Sequence, residues 1–113
     1  MEVRIASSVL AGALIRLAET EGGFGSVLAK GDPTAGAIAV LLVERGSNPR
    51  LFERLLLPDG VYGWQESTQP DLARPGELQA LIERRRRFDP DSWLIELDIA
   101  SAERFAAEMN LIG

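Results

Sequence analysis

The chain has 113 residues, of which 46% are hydrophobic and 26% charged, the composition of one globular domain (1–113) with a single core rather than of a disordered segment. It contains neither Cys nor His, which excludes disulfides, thiolate nucleophiles, Cys/His zinc sites and imidazole general bases. A net charge of −5 disfavours sequence-independent nucleic-acid binding, because such binding rests on neutralising phosphates with Lys and Arg.

At the N-terminus, the apolar run from Val9 to Ile15 is closed by Arg16 and preceded by Glu2. It is too short to span a bilayer, which needs about 20 apolar residues, and its flanks are wrong for a secretory signal. We read it as an amphipathic helix over residues 8–20, with Leu10, Leu14, Leu17 and Ala18 on one stripe, Ser7 or Ser8 as N-cap, and Gly22-Gly23 as its stop. No membrane association and a cytoplasmic setting are expected.

A short mixed strand is expected over 24–30, followed by the turn formers Gly31-Asp32-Pro33-Thr34-Ala35-Gly36. Residues 37–43 are an unbroken apolar run rich in β-branched side chains, suited to a central strand covered on both faces, or covered on one and shielded on the other. A turn at Gly46-Ser47-Asn48-Pro49, a strand over 51–57, a second turn at Pro58-Asp59-Gly60 and a strand over 61–68 extend this into an antiparallel meander. A loop over 69–76 leads to a helix over 75–87, with Pro75 at its first position and Leu78, Leu81 and Ile82 facing one way. Asp89-Pro90-Asp91 breaks that helix. Trp93, Ile95, Leu97 and Ile99 then alternate with Leu94, Glu96 and Asp98, the clearest strand pattern in the chain. Ser101 caps a last helix on which Ala102, Phe105, Ala106 and Met109 share a face, with Asn110 and Gly113 as its stop. The expected fold class is α+β: a mostly antiparallel sheet of four or five strands, with about three helices packed mainly on one face.

Three features stand out as candidate sites. The run Arg84-Arg85-Arg86-Arg87 could grip an anion or acidic partner through Arg84, Arg86 and Arg87, helped by Arg74, because guanidinium forks match phosphate geometry. Successive helical residues point about 100° apart, however, and cations in a last turn also complement the helix dipole, so a solvated helix end is the plainer reading. Arg85 falls on the apolar stripe, where its stem can lie across apolar surface. The acidic residues Asp89, Asp91, Glu96 and Asp98 could hold Mg²⁺ or Ca²⁺ through oxygen, or could guard a sheet edge against pairing. Tyr62 and Trp64 share a strand face and are either core cover or an exposed interaction surface, whereas Trp93 is expected to anchor the core.

Neither Gly31–Gly36 nor Gly22-Gly23-Phe24-Gly25 has Walker or Rossmann spacing with a following helix. Lys30, the sole lysine, precedes a turn, and with no His only Lys30 or a carboxylate could activate a hydroxyl. No catalytic residues, cofactor or metal are assigned.

The chain resembles a small family of uncharacterised bacterial proteins of about this length. The resemblance is carried by Gly22-Gly23-Phe24 after an apolar helix, by Lys30-Gly31-Asp32-Pro33-Thr34-Ala35-Gly36-Ala37, and by Arg87-Phe88-Asp89-Pro90-Asp91-Ser92-Trp93 opening a strand before a helix with Phe105. It implies a compact single domain in a bacterial cytoplasm and transfers no site residues. The expected function is that of a small non-catalytic interaction or oligomerisation domain, its partner a second copy or another protein. The alternatives are anion or nucleic-acid binding at Arg84–Arg87 and, less favoured, a carboxylate- and metal-dependent enzyme.

Overall fold

The computed structural model describes residues 5–67 and 71–112. In chain order the elements are α1 (Ser7–Thr20), β1 (Phe24–Ala29), β2 (Ile38–Glu44), β3 (Ser47–Leu56), β4 (Tyr62–Glu66), α2 (Glu77–Phe88), β5 (Trp93–Ile99) and α3 (Ala102–Ile112). The five strands form one sheet in the order β1-β5-β2-β3-β4. Strands β2, β3 and β4 make the expected antiparallel meander, and β1 runs antiparallel to β5. The single parallel pair is β2 with β5, where Val40 lies opposite Ile95 and Leu42 opposite Leu97. The fold is α+β. The sequence expectations that fall on Glu2, Thr68, Gln69, Pro70 and Gly113 lie outside the described residues.

The apolar run of β2 is two-faced because the strand sits at the middle of the sheet. Ile38, Val40 and Leu42 point to the layer formed by α1 and α3, where they meet Leu10, Leu14, Phe105 and Met109. Ala39, Leu41 and Val43 point the other way, to Leu81 and Ile82 of α2. Two of the three helices therefore share one face and α2 alone covers the other. On β5, Trp93, Ile95, Leu97 and Ile99 join the α1–α3 core, while Leu94 lies under α2. Trp93 and Phe105 are 5% and 1% exposed, and burial of such side chains stabilises by roughly 1.5–3 kcal/mol each.

Several local expectations are corrected. The β2–β3 turn lies at Arg45-Gly46, with φ of 52° and 81°, between the paired residues Glu44 and Ser47. Positive φ at both central residues is the hairpin geometry that matches strand twist, so Ser47, Asn48 and Pro49 already belong to β3. Pro75 does not open α2; Gly76, left-handed at φ 85°, is its N-cap, a conformation closed to proline. Neither Ser7 nor Ser8 caps α1 with its hydroxyl. The N–H groups of Ser7 and Ser8 donate instead to the carbonyls of Thr34 and Pro33, at 3.2 and 2.9 Å. Asn110 does not end α3, which continues to Ile112. Its Oδ1 accepts the Trp64 N–H at 3.0 Å, satisfying a donor on the edge strand β4. Ser101 does cap α3, accepting the Arg104 N–H at 3.3 Å, and the Glu44 carboxylate adds a second cap by accepting the Ala102 N–H at 2.8 Å.

Candidate functional site

The loop 31–36, between β1 and β2, is fastened by hydrogen bonds within itself and to both neighbouring segments. Asp32 Oδ2 accepts the N–H groups of Thr34 and Ala35 at 3.1 and 2.8 Å, closing the turn on itself. The Asp32 N–H donates to the Asp91 carbonyl at 2.9 Å, and the Trp93 indole donates to the Asp32 carbonyl at 2.7 Å. From the other side, the Ser7 hydroxyl donates to the Gly36 carbonyl at 2.6 Å. A Cβ on Gly31 or on Gly36 would collide with the Asp91 carbonyl oxygen, so this close approach requires glycine at both positions. The loop thus joins the start of α1 to the start of β5. Its N–H groups at Thr34 and Ala35 are spent on Asp32, so they form no phosphate cradle.

Beside this loop lies a cavity of about 420 Å³, walled by Ile5, Ala6 and Ser7 at the entry to α1, by the segment from Thr34 to the first residue of β2, Ile38, and by Arg54 and Tyr62 from β3 and β4. Among the described residues, Arg54 is the one charged side chain in its wall. The guanidinium lies over the Tyr62 ring, 4.4 Å from its centroid, an arrangement favoured by the ring's negative face. Trp64, expected to share this face with Tyr62 as a core or interaction pair, is 8% exposed and packs in the α1–α3 core. The two aromatics therefore do not form one exposed platform: Trp64 is core, and Tyr62 is half-buried in the cavity wall.

A second concavity, of about 400 Å³, runs along the outer side of α1. Ile5, Val9, Ala13 and Leu17 line it at four-residue spacing, and Ile112 of α3 closes one side. Val9 is 57% exposed and Ile5 44% exposed. Helical spacing predicts one apolar stripe on α1, Leu10, Leu14, Leu17 and Ala18, and of these Leu10 and Leu17 also border this second, outer concavity. The signal available was Ile5 and Val9 in register with Ala13 and Leu17.

The arginine run separates as helical geometry requires. Arg85 is half-buried, and its Nη1 lies 2.9 Å from Glu53 Oε1 on β3. Arg86 donates to the Leu28 carbonyl on β1 at 3.4 Å. Arg84 and Arg87 are exposed and make no hydrogen bond or ion pair among the described residues. Arg74 lies in the loop before α2. Asp89, Asp91, Glu96 and Asp98 do not converge: among the described residues no group of three or more acidic side chains is placed to hold a metal. Glu96 and Asp98 do not guard a sheet edge either, since β5 is interior, between β1 and β2. Lys30 is exposed at the end of β1.

Three other carboxylates carry shifted titration. Glu44 is held below its ordinary 4.5 chiefly by the Ala102 N–H and also by the Asn48 amide. Glu66 is held down by a two-pronged pairing with Arg50, both contacts 2.8 Å. Glu21, at the end of α1, is pushed up by its hydrogen bond to Glu108 of α3, then by desolvation and the Glu108 charge, with Arg104 opposing. Among the described residues no helix is long and apolar enough to cross a membrane.

Two of the segments that carry the family resemblance, 30–37 and 87–93, meet in the knot around Asp32, Asp91 and Trp93. The model of a protein family of unknown function, DUF1491, matches residues 5–107. Among solved structures, the chain is similar to a DUF1491 family protein from Caulobacter crescentus CB15. Its crystal structure gives a TM-score of 0.78 at 34% identity, covering 90% of this chain and 94% of that one. Its NMR structure gives 0.74 at 33% identity, covering 93% and 94%. A protein from A. tumefaciens, solved in solution, gives 0.73 at 28% identity, covering 92% and 93%. No curated protein matches. The expected small uncharacterised bacterial family thus has a definite identity: this chain belongs to the DUF1491 family of unknown function.

Proposed function

We propose that this chain is an interaction domain that pairs with a second copy of itself through the outer side of α1. The observation that carries the reading is the apolar groove lined by Ile5, Val9, Ala13, Leu17 and Ile112. From Ser7 to Ile15 the helix carries no charged residue, and the charged residue among the groove's lining, Arg16, stands beyond that stretch. Elsewhere a net charge of −5 makes copies repel, which favours contact at the uncharged strip. A two-fold contact would bring the same patch from each copy together, with the small side chain of Ala13 near its centre.

The strength of this pairing can be bounded. Burying a half-exposed Ile or Val stabilises by about 1 kcal/mol, and two copies contribute six such side chains from Ile5, Val9 and Ile112. Association costs at least about 4 kcal/mol, so a weak, concentration-dependent dimer is expected. Light scattering across a concentration series tests this: wild type moves from monomer towards dimer, and Val9→Glu stays monomeric with unchanged circular dichroism. A wild type that is strictly monomeric at every concentration overturns the reading. A cytoplasmic setting is part of the proposal, since a chain without cysteine fits a reducing compartment.

Anion or nucleic-acid binding at the end of α2 has less support. Arg85 is engaged by Glu53 and Arg86 reaches Leu28, which leaves Arg84 and Arg87 on a chain of net negative charge.

A further inference from the structure

We infer that the outer edge of β1 is a docking site for an extended, basic segment of a partner protein, which joins the sheet as a further strand. None of the residues lining the α1 groove belongs to β1, so this edge and the pairing surface can be tested separately.

Strand β1 stands at one end of the sheet and is paired on one side only, with β5. Alternate residues of such a strand turn their N–H and C=O groups away from the sheet. Among the described residues these outward groups of β1 meet one partner, the Arg86 guanidinium, which donates to the Leu28 carbonyl at 3.4 Å. That contact and the register shift between Val27 and Ala29 guard the C-terminal end of the strand. The stretch from Phe24 to Val27 has neither, and it carries no charge and no proline, the usual protections of an open edge. At the opposite edge of the sheet the Trp64 N–H on β4 is taken by Asn110.

The two faces of β1 specify what fits beside it. Gly25 faces Ile15 of α1, and Val27, 46% exposed, continues that apolar side. Phe24 and Ser26 face the other way, with Asp98 and Glu96 as their cross-strand neighbours on β5. Both carboxylates are half-exposed and make no hydrogen bond or ion pair among the described residues, although their strand is interior. Arg45 borders the same concavity as Phe24 and Asp98 but makes no ion pair there among the described residues. A strand laid beside β1 would lie about 10 Å from β5, a gap that a long Lys or Arg stem bridges across the small Ser26 side chain. The Phe24 ring, 58% exposed, offers its face to the same cation. The fitting segment therefore alternates, with Lys or Arg towards Glu96 and Asp98 and apolar side chains towards Val27. A second copy of β1 does not meet this requirement, because β1 holds no cation. The chain's net charge of −5 favours approach of a basic partner.

The test uses the full chain, labelled with ¹⁵N and titrated at low salt with the capped peptide Lys-Val-Lys-Val-Lys-Val. The amide resonances of residues 24–27 should move and their hydrogen exchange should slow. Glu-Val-Glu-Val-Glu-Val should bind at least about tenfold more weakly, and so should the basic peptide with every amide nitrogen methylated, which keeps its charge but cannot donate to an edge. The double variant Glu96→Gln, Asp98→Asn should weaken the basic peptide about tenfold, while Glu103→Gln on α3 leaves it unchanged. The two peptide controls use the wild-type chain, so the outcome does not depend on whether the double variant folds. The inference is overturned if the basic peptide leaves residues 24–27 unmoved, or if the acidic or the methylated peptide binds as well. It is equally overturned if a folded double variant binds like wild type, or if these resonances move with protein concentration alone, which would mean pairing of β1 with a second copy.

Discussion

The Trp93 indole Nε1 donates to the backbone carbonyl of Asp32 at 2.7 Å, joining the first residue of β5 to the loop that leads into β2. These residues are 61 positions apart in the chain, and the bond sits where the parallel β2–β5 pair begins, with Ile38 opposite Trp93. It therefore helps set the register of the only parallel pair in the sheet. Trp93→Phe keeps an aromatic ring in the core but removes the donor. The expected cost is about 1–3 kcal/mol, seen as a lower urea midpoint with unchanged slope.

The same knot makes Gly31 and Gly36 intolerant of a methyl group. Each would drive a Cβ into the Asp91 carbonyl oxygen, which is backbone and cannot rotate away. Gly36→Ala should destabilise by about 1–3 kcal/mol, as overpacking does elsewhere, whereas Ala35→Gly in the same loop should cost less than about 1 kcal/mol. Thermal melts of the two variants side by side check this.

Much of this fold was legible in the sequence. Alternation over 93–99 located β5 to the residue, and the apolar run over 37–43 marked a central strand covered on both faces or shielded on one, of which the first is found. Periodicity reports which side of an element is greasy, though, and not which neighbour it meets. The insertion of β5 between β1 and β2 was therefore out of reach, and with it the interior position of Glu96 and Asp98. Turn chemistry misled where tertiary partners overrode it. Ser7 has the composition of an N-cap, but the 31–36 loop supplies carbonyls to the first turn of α1 and takes the Ser7 hydroxyl for Gly36. At the candidate sites, Arg85 was correctly separated from its neighbours by helical spacing. Arg54 carried no motif at all; its place over Tyr62 follows from the register of β3 and β4.

Arg85 and its neighbours should separate by experiment. Arg85→Ala breaks a partly buried pair with Glu53 and uncovers apolar surface under its stem, for an expected loss of about 1–2 kcal/mol. Arg84→Ala and Arg87→Ala remove exposed side chains and should stay within about 0.5 kcal/mol of wild type. Chemical denaturation of the three single variants decides it.

Two carboxylates should give opposite pH dependence. Glu44 titrates below 4.5 in the folded chain because the Ala102 and Asn48 amides stabilise its charge. Its contribution is present above pH 4.5 and is lost as pH falls through the lowered value. Glu44→Gln should therefore be less stable than wild type at neutral pH, with the gap closing in acid. Glu21 titrates above 4.5, because its hydrogen bond to Glu108 favours the protonated form. That contribution is complete below pH 4.5 and is lost as pH rises through the raised value. Glu21→Gln should equal or exceed wild type at neutral pH and lose that advantage in acid. Denaturant midpoints across a pH series read both signs.

The chain has no cysteine, so a single one can be placed at will. A spin label on Ala13→Cys, at the middle of the α1 groove, measures the pairing surface directly by dipolar spectroscopy at high protein concentration. Pairing through α1 gives a short, well-defined distance for Ala13→Cys and a much longer one for Arg84→Cys. The absence of any distance for Ala13→Cys, or a short one for Arg84→Cys instead, would contradict it.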